Sequence, residues 1–264
     1  MLKWLVAIGA DEALEDTPID RFAVPAPAET VTAAPARTVP KPIAPPRPVE
    51  LFGSRATVLP SAGATSAREA AAACQTLEEL RTAVANFKGC ALSLTAKHMV
   101  FADGNPAAPV MFIGEAPGRD EDLQGVPFVG RSGALLDRML ATIEMDRARN
   151  AYITNVIFWR PPGNRPPTPE EAGICAPFLA RHIELQQPKV LVLLGGTPLK
   201  HVLNINEGIT KVRGRWGRYI VNGQEIPALP TLHPAYLLRQ LSAKRQAWQD
   251  LQSLRDKLRE LGVN

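Results

Sequence analysis

Cysteine is scarce in this sequence. Its three residues, Cys74, Cys90 and Cys175, are too few for a disulfide framework, which fits a cytoplasmic protein better than a secreted one. Long apolar runs are missing as well: none reaches the roughly 18 residues that mark a membrane-spanning helix, so no membrane association is expected. The opening stretch MLKWLVAIGADEALED has too short an apolar core for a secretory signal and turns acidic at once. No G-x-G-x-x-G or P-loop string occurs, which argues against a generic nucleotide-binding domain. What is present is ordinary for a globular protein. Apolar residues make up 45%, and 264 residues suffice for one large domain or for a domain with tails. A net charge of +4 and a pI near 9.1 are compatible with nucleic-acid binding.

Composition divides the chain into three parts. Residues 1–22 read as an amphipathic helix, with Trp4, Leu5, Ile8 and Leu14 roughly on one side; it is either a tail or a docking peptide for a protein partner. Residues 23–62 are rich in Pro and Ala, cannot bury enough apolar surface to offset their ordering entropy, and read as an extended, disordered linker. Residues 63–264 carry the patterning of an α/β domain. Helices are expected over Ser66–Phe87, Ser132–Glu144, Thr197–Leu203 and Ala243–Leu261, the last with Trp248, Leu251, Leu254, Leu258 and Leu261 on its buried side. Thr168 and Glu171 form a capping box that opens another helix. Strands are expected at His98–Phe101, Val110–Ile113, Tyr152–Ile157, Lys189–Leu194 and Ala228–Leu232, with a hairpin of Arg218–Val221 and Gln224–Pro227 around Asn222-Gly223. Strands alternating with helices predict an α/β fold with a parallel sheet covered on both faces.

The stretch VMFIGEAPGRDEDLQGVPFVGRSG, Val110 to Gly133, organises the domain. A buried strand feeds a long loop with glycines at Gly114 and Gly118, the carboxylates Glu115, Asp120, Glu121 and Asp122, and one large aromatic, Phe128. Long connections in compact α/β units are usually functional, and ligands of such sheets sit beyond the carboxyl ends of the strands. The successive strand ends supply Gly114 and Glu115, then Thr154 and Asn155, then Gly195 and Gly196, then His233 and Pro234. Carboxylates, an amide, glycines and a histidine would thus share one rim. An amide such as Asn155 offers both a donor and an acceptor, the pair needed to read a pyrimidine edge, and Phe128 could stack on a base. The bland alternatives are a turn-capping asparagine, a core phenylalanine and a surface or satisfied core histidine.

Taken together, GEAPGRDED, PFVGRSG, YITNV, RPPGNRPP, LVLLGG and TLHPAYLLR resemble the family 4 uracil-DNA glycosylases, in order and spacing, from about Cys90 to Asp250. The resemblance implies a three-layer α/β/α sandwich with a mostly parallel central sheet, the uracil-DNA glycosylase fold, and hydrolysis of the N-glycosidic bond of deoxyuridine in DNA. By that resemblance Phe128 stacks on the flipped uracil, Asn155 bonds its Watson–Crick edge, and His233 donates to O2 as negative charge develops. A carboxylate, Glu115 or Glu121, stabilises the sugar and orients water. Ala116 stands where the classical enzymes hold an aspartate. Leu237 would wedge into the base stack, and Arg160, Arg165 and Arg239 would meet phosphates.

One departure concerns a cofactor. The family holds a 4Fe-4S cluster on four cysteines; Cys90 and Cys175 match two of these positions, whereas Phe87 and Trp159 occupy the others, and Cys74 lies off the motif. Aromatic side chains cannot ligate iron, so no cluster and no metal are expected. The competing reading of the domain is a non-catalytic protein on the same fold that binds uracil-containing DNA or docks a partner. A related branch traps DNA through a histidine in the segment FWRPPGNRPP, which holds none here. A monomer is expected, as for enzymes that scan DNA.

Overall fold

The computed structural model describes residues 62–263. The predicted helix over 1–22 and the Pro/Ala-rich segment as far as residue 61 lie outside the described residues. A six-stranded sheet runs through the middle, in the order β1-β3-β2-β4-β6-β5. These are β1 (Ala102–Gly104), β2 (Val110–Gly114), β3 (Ala151–Asn155), β4 (Val190–Leu194), β5 (Gly217–Val221) and β6 (Gln224–Thr231). The four central strands are parallel, and β1 and β5 pair antiparallel at the two edges.

Every residue of β2, β3 and β4 is buried, which is why these strands read as unbroken apolar runs rather than alternating ones. Successive side chains still go to opposite faces. Val110 and Phe112, Ala151 and Ile153, Val190 and Val192 join one core cluster, with Leu135, Leu136 and Leu140 of one helix and Leu251 and Leu254 of another. Met111 and Ile113, Tyr152, Leu191 and Leu193 join the opposite cluster, under Leu80, Val84, Phe178 and Ile183. The predicted α/β/α layering is therefore present. The helices are α1 (Ala62–Ala73), α2 (Leu77–Asn86), α3 (Leu92–Thr95), α4 (Arg119–Gln124), α5 (Arg131–Ala141), α6 (Pro169–Gln186), α7 (Gly196–Leu203), α8 (Ile209–Val212), α9 (Pro234–Arg239) and α10 (Lys244–Glu260).

Several local expectations need correction. The single helix predicted over Ser66–Phe87 is two helices. The hydroxyl of Thr76 accepts from Glu79 N–H at 3.1 Å, and Glu79 Oε2 accepts from Gln75 N–H at 2.6 Å, a cap that restarts the chain. The edge strand lies at Ala102–Gly104, not His98–Phe101, whose Val100 and Phe101 are packed into the core instead. The hairpin strand and the final strand are one strand: Pro227 marks not an end but the change of partner, since residues 224–228 pair with β5 and 228–231 with β4. The loop after β2 contains the short α4, closed by Gly125 in the left-handed region (φ 72°). Trp248, expected to be buried, is 43% exposed on the outer face of α10, and Leu261 lies exposed just past its end. The capping box of Thr168 and Glu171 opens α6 as expected.

Candidate active site

The carboxyl ends of the parallel strands open on one rim. Register aligns Gly114 with Asn155 across β2 and β3, and Leu194 with Thr231 across β4 and β6. Gly114 has no room for a side chain: a Cβ there would collide with Asn155 Oδ1 and with the edge of the Phe128 ring. Phe128 in turn lies with its ring centroid 5.5 Å from that of His233, tilted by 30°. An amide, an aromatic ring and an imidazole, from residues far apart in the sequence, thus meet around the end of β2.

Each of the three is held by something. Phe128 takes a positive φ of 55°, costly for a bulky residue and sustained only by its surroundings. Arg147 supplies one support, donating to Pro127 O at 2.9 Å and to Phe128 O at 2.5 Å. Arg147 is itself anchored by Asp103 at 2.8 Å and Asp137 at 2.7 Å. Gly133 of α5 supplies another, because only a glycine admits the Phe128 carbonyl so close to the helix. Glu121 fastens the following residues: Oε1 accepts from Val129 N–H and Gly130 N–H, both at 3.1 Å, and Oε2 accepts from Gly118 N–H at 3.0 Å.

His233 precedes α9, and its Nδ1 accepts from Ala235 N–H at 3.1 Å. In the neutral ring the proton therefore sits on Nε2. Burial, helped by the charge of Arg239, lowers the His233 pKa to about 4. At neutral pH the residue is an uncharged donor. Asn155 is buried at the end of β3, and its Oδ1 has no hydrogen-bond partner among the described residues. An orphaned buried carbonyl is costly and points to a ligand that donates to it.

The two candidate glutamates differ. Both oxygens of Glu121 are occupied by backbone N–H groups, whereas among the described residues the Glu115 carboxylate accepts one hydrogen bond, from the hydroxyl of Thr197 at 2.6 Å. Ala116, half-buried, packs on the core cluster below β2. Leu237, expected to wedge into the base stack, is 1% exposed and packs in the core; on the same helix Tyr236 is 36% exposed. Arg239 is exposed at the end of α9. Arg165 forms a bidentate pair with Glu171, at 2.8 and 2.6 Å, and that pairing holds the Glu171 carboxyl below its ordinary range. Arg160 donates to Asn164 at 2.7 Å and lies 3.8 Å from Asp122. Arg147 and Thr197 escaped sequence reading. Thr197 had a usable signal, a hydroxyl just after a strand-ending Gly-Gly; Arg147, in MDRARN, had none.

The four positions at which the resemblance places cluster ligands do not fit an iron–sulfur cluster. Phe87 packs edge-on against Phe178, ring centroids 5.0 Å apart, and Trp159 against Phe158 at 6.2 Å. Cys90 and Cys175 are both fully buried, and the neighbouring Cys90, with burial, holds the Cys175 thiol well above its ordinary pKa. Cys74 is turned away, donating to Ala70 O at 3.2 Å. Among the described residues no group of three or more His, Cys, Asp or Glu side chains is arranged to hold a metal ion.

Comparison with known proteins agrees with this geometry. The family model of the uracil DNA glycosylase superfamily matches residues 101–252, which span all six strands and the rim. The type-4 uracil-DNA glycosylase of Archaeoglobus fulgidus is 39% identical over 168 residues, 62% of this chain and 84% of that protein. That of Thermotoga maritima is 39% identical over 179 residues, 66% of this chain and 90% of that protein. That of Sulfurisphaera tokodaii is 37% identical over 184 residues, 68% and 84% respectively. A matched family model across the sheet and close identity to these relatives lead to one conclusion: the chain belongs to the uracil DNA glycosylase superfamily, with the type-4 enzymes.

Proposed function

We propose that this protein is a uracil-DNA glycosylase, which hydrolyses the N-glycosidic bond of deoxyuridine in DNA, releases uracil and leaves an abasic site for base excision repair. The observation that carries the reading is the meeting of Phe128, His233 and the unpaired Asn155 Oδ1 at the end of β2. A duplex hides the bond to be cut, so the nucleotide must leave the stack, at a cost of a few kcal/mol. Phe128 receives the extruded base on its face. Asn155 Oδ1 accepts from uracil N3–H while its amide donates to O4; cytosine presents the reverse pattern at both atoms and leaves the buried amide unsatisfied. His233 donates Nε2–H to O2, where negative charge gathers as the C1′–N1 electron pair departs with the base. The sugar becomes oxocarbenium-like. Water then bonds to C1′ and loses a proton to solvent, from which the uracil anion regains one. An electrophile of that strength needs an oriented water and a nearby negative charge more than a strong base, and Glu115 suits both tasks.

Glu121 is better suited to bracing the loop that presents Phe128 than to meeting the sugar. Arg239, exposed at the end of α9, is the arginine of this set left to meet a phosphate, since Arg165 is committed to Glu171 and Arg160 to Asn164. With Leu237 in the core, Tyr236 is the side chain of α9 that can enter the gap left by the base. The reading needs no iron: the apolar packing of Phe87 and Trp159 supports a domain held together there by side chains alone. The protein would act as a cytoplasmic monomer on uracil-containing DNA; among the described residues no helix is long and apolar enough to cross a membrane.

The test is incubation with single- and double-stranded oligonucleotides carrying one uracil, followed by alkali. Strand scission at the uracil is the expected result. A gel shift without an abasic product would instead establish a binding protein. Stoichiometric iron in the purified protein, with absorbance near 400 nm (an approximate charge-transfer region), would overturn the iron-free reading.

A further inference from the structure

The end of β4 contributes a side chain to the rim that base recognition does not use. Thr197, in the first turn of α7, donates its hydroxyl to Glu115 Oε2 at 2.6 Å. The partners are 82 residues apart in sequence and meet between the ends of β2 and β4. There the order of the sheet reverses: from β2 the chain goes to β3 on one side and then to β4 on the other. Crevices at such switch points are where α/β sheets bind and transform ligands. The turn that delivers Thr197 is also fitted to the histidine. Gly195 has a φ of 99°, and a Cβ on it would lie 3.3 Å from the Cβ of His233. One turn therefore abuts His233 and presents a hydroxyl to Glu115.

Glu115 needs such a partner. Its side chain is long and flexible, and Oε1 has no hydrogen-bond partner among the described residues. Glu121 differs, because three backbone N–H groups fix both of its oxygens. An O–H donor to a carboxylate makes a short, strong and directional bond, and the observed length is in that class. We propose that Thr197 is a positioning residue for the glycosylase reaction. Its hydroxyl holds Oε2 so that Oε1 is turned toward the sugar and the attacking water. This rests on Glu115 being the carboxylate that acts on the sugar, so the experiment must separate the two ideas.

Single-turnover uracil excision and DNA affinity are measured for the full-length protein, Thr197→Val, Thr197→Ser, Glu115→Gln and the Thr197→Val/Glu115→Gln double variant. Misplacement of a reacting group by about 1 Å costs up to roughly 100-fold in rate. Thr197→Val is therefore expected to slow excision by about 10- to 100-fold with little change in DNA affinity. Thr197→Ser, which keeps the hydroxyl, restores most of the rate. In the Glu115→Gln background Thr197→Val should have little further effect, the mark of a residue acting through its partner. A wild-type rate for Thr197→Val beside a slow Glu115→Gln overturns the positioning role alone. Equal losses from Thr197→Val in both backgrounds overturn it too, since a packing defect behaves that way. A wild-type rate for Glu115→Gln removes the carboxylate reading and this role with it.

Discussion

Gly114 is the residue on which the proposed base-binding geometry turns. It is glycine not because of its backbone angles but because Asn155 Oδ1 and the Phe128 ring occupy the space of a side chain. Gly114→Ala should displace one or both and lower single-turnover excision by about 100-fold or more. Circular dichroism should be unchanged, because the strand itself tolerates alanine. In the proposed mechanism His233 acts as a neutral donor, its tautomer set by the N–H of Ala235. His233→Ala removes a donor aimed at developing charge and should cost about 100- to 1,000-fold in excision rate, with DNA affinity largely retained. With its pKa lowered to about 4, His233 should also produce no inflection in the pH–rate profile between about pH 5 and 8, the range where an ordinary histidine titrates.

The elements around the rim are tied by buried polar pairs rather than by apolar contact alone. Asp250 of α10 is buried and accepts from the Thr231 hydroxyl at 2.6 Å, at the end of β6, and from Arg213 Nε at 2.9 Å, just after α8. One carboxylate therefore joins a closing helix, the strand that delivers His233, and the loop before β5. Burial outweighs the pull of Arg213 and Thr231 and raises the Asp250 pKa. Asp250→Ala leaves Arg213 and Thr231 without their partner and should lower unfolding free energy by about 3–5 kcal/mol, measured by chemical denaturation. Asp250→Asn, which keeps an acceptor for Thr231, should cost less. Arg147 plays the corresponding part on the other side of the rim, joining β1, α5 and the Phe128 loop through one guanidinium.

Stability of the whole domain should depend on acid through its buried histidines, His182 and His233 above all, with His201 lowered in the same direction by burial. His182 is fully buried in the core, stacked on Phe101 at 4.3 Å and bonded to Tyr152 Oη at 2.9 Å. Burial lowers its pKa to about 3, as burial lowers that of His233 to about 4. In the unfolded chain both return to the ordinary value of about 6.5. Above that value neither state binds the proton and stability is unaffected. As pH falls below it, the unfolded chain takes up protons that the folded protein refuses, and stability drops until the folded histidines themselves protonate. Denaturation midpoints should accordingly fall steadily from about pH 6.5 to pH 4, with about two protons taken up on unfolding from this pair. A flat profile there would show that neither ring is kept from protonating by the fold, and half the slope that one of the two is solvated.

Local sequence carries far into this molecule. Apolar runs specify the buried parallel strands because a strand covered on both faces has no polar side to show. Glycine, proline and capping residues fix most element ends, and the strings around Phe128, Asn155 and His233 mark the strand ends where ligands of such sheets gather. The chain could also have revealed its break at Thr76, since Thr-Leu-Glu-Glu is a capping box in plain view. Other features had no local signature. Which glutamate keeps an uncommitted oxygen depends on a hydroxyl 82 residues away from Glu115 and on three N–H groups of the loop beyond Glu121. Whether Leu237 enters the core or the DNA depends on α5 and α10, not on its place after His233. The partner change within β6 depends on two other strands. Composition and order thus settle the layers, the strand ends and the chemistry gathered there, because those follow from burial and backbone preference along the chain. The direction each side chain faces, and what already occupies it, is settled only by packing between distant segments.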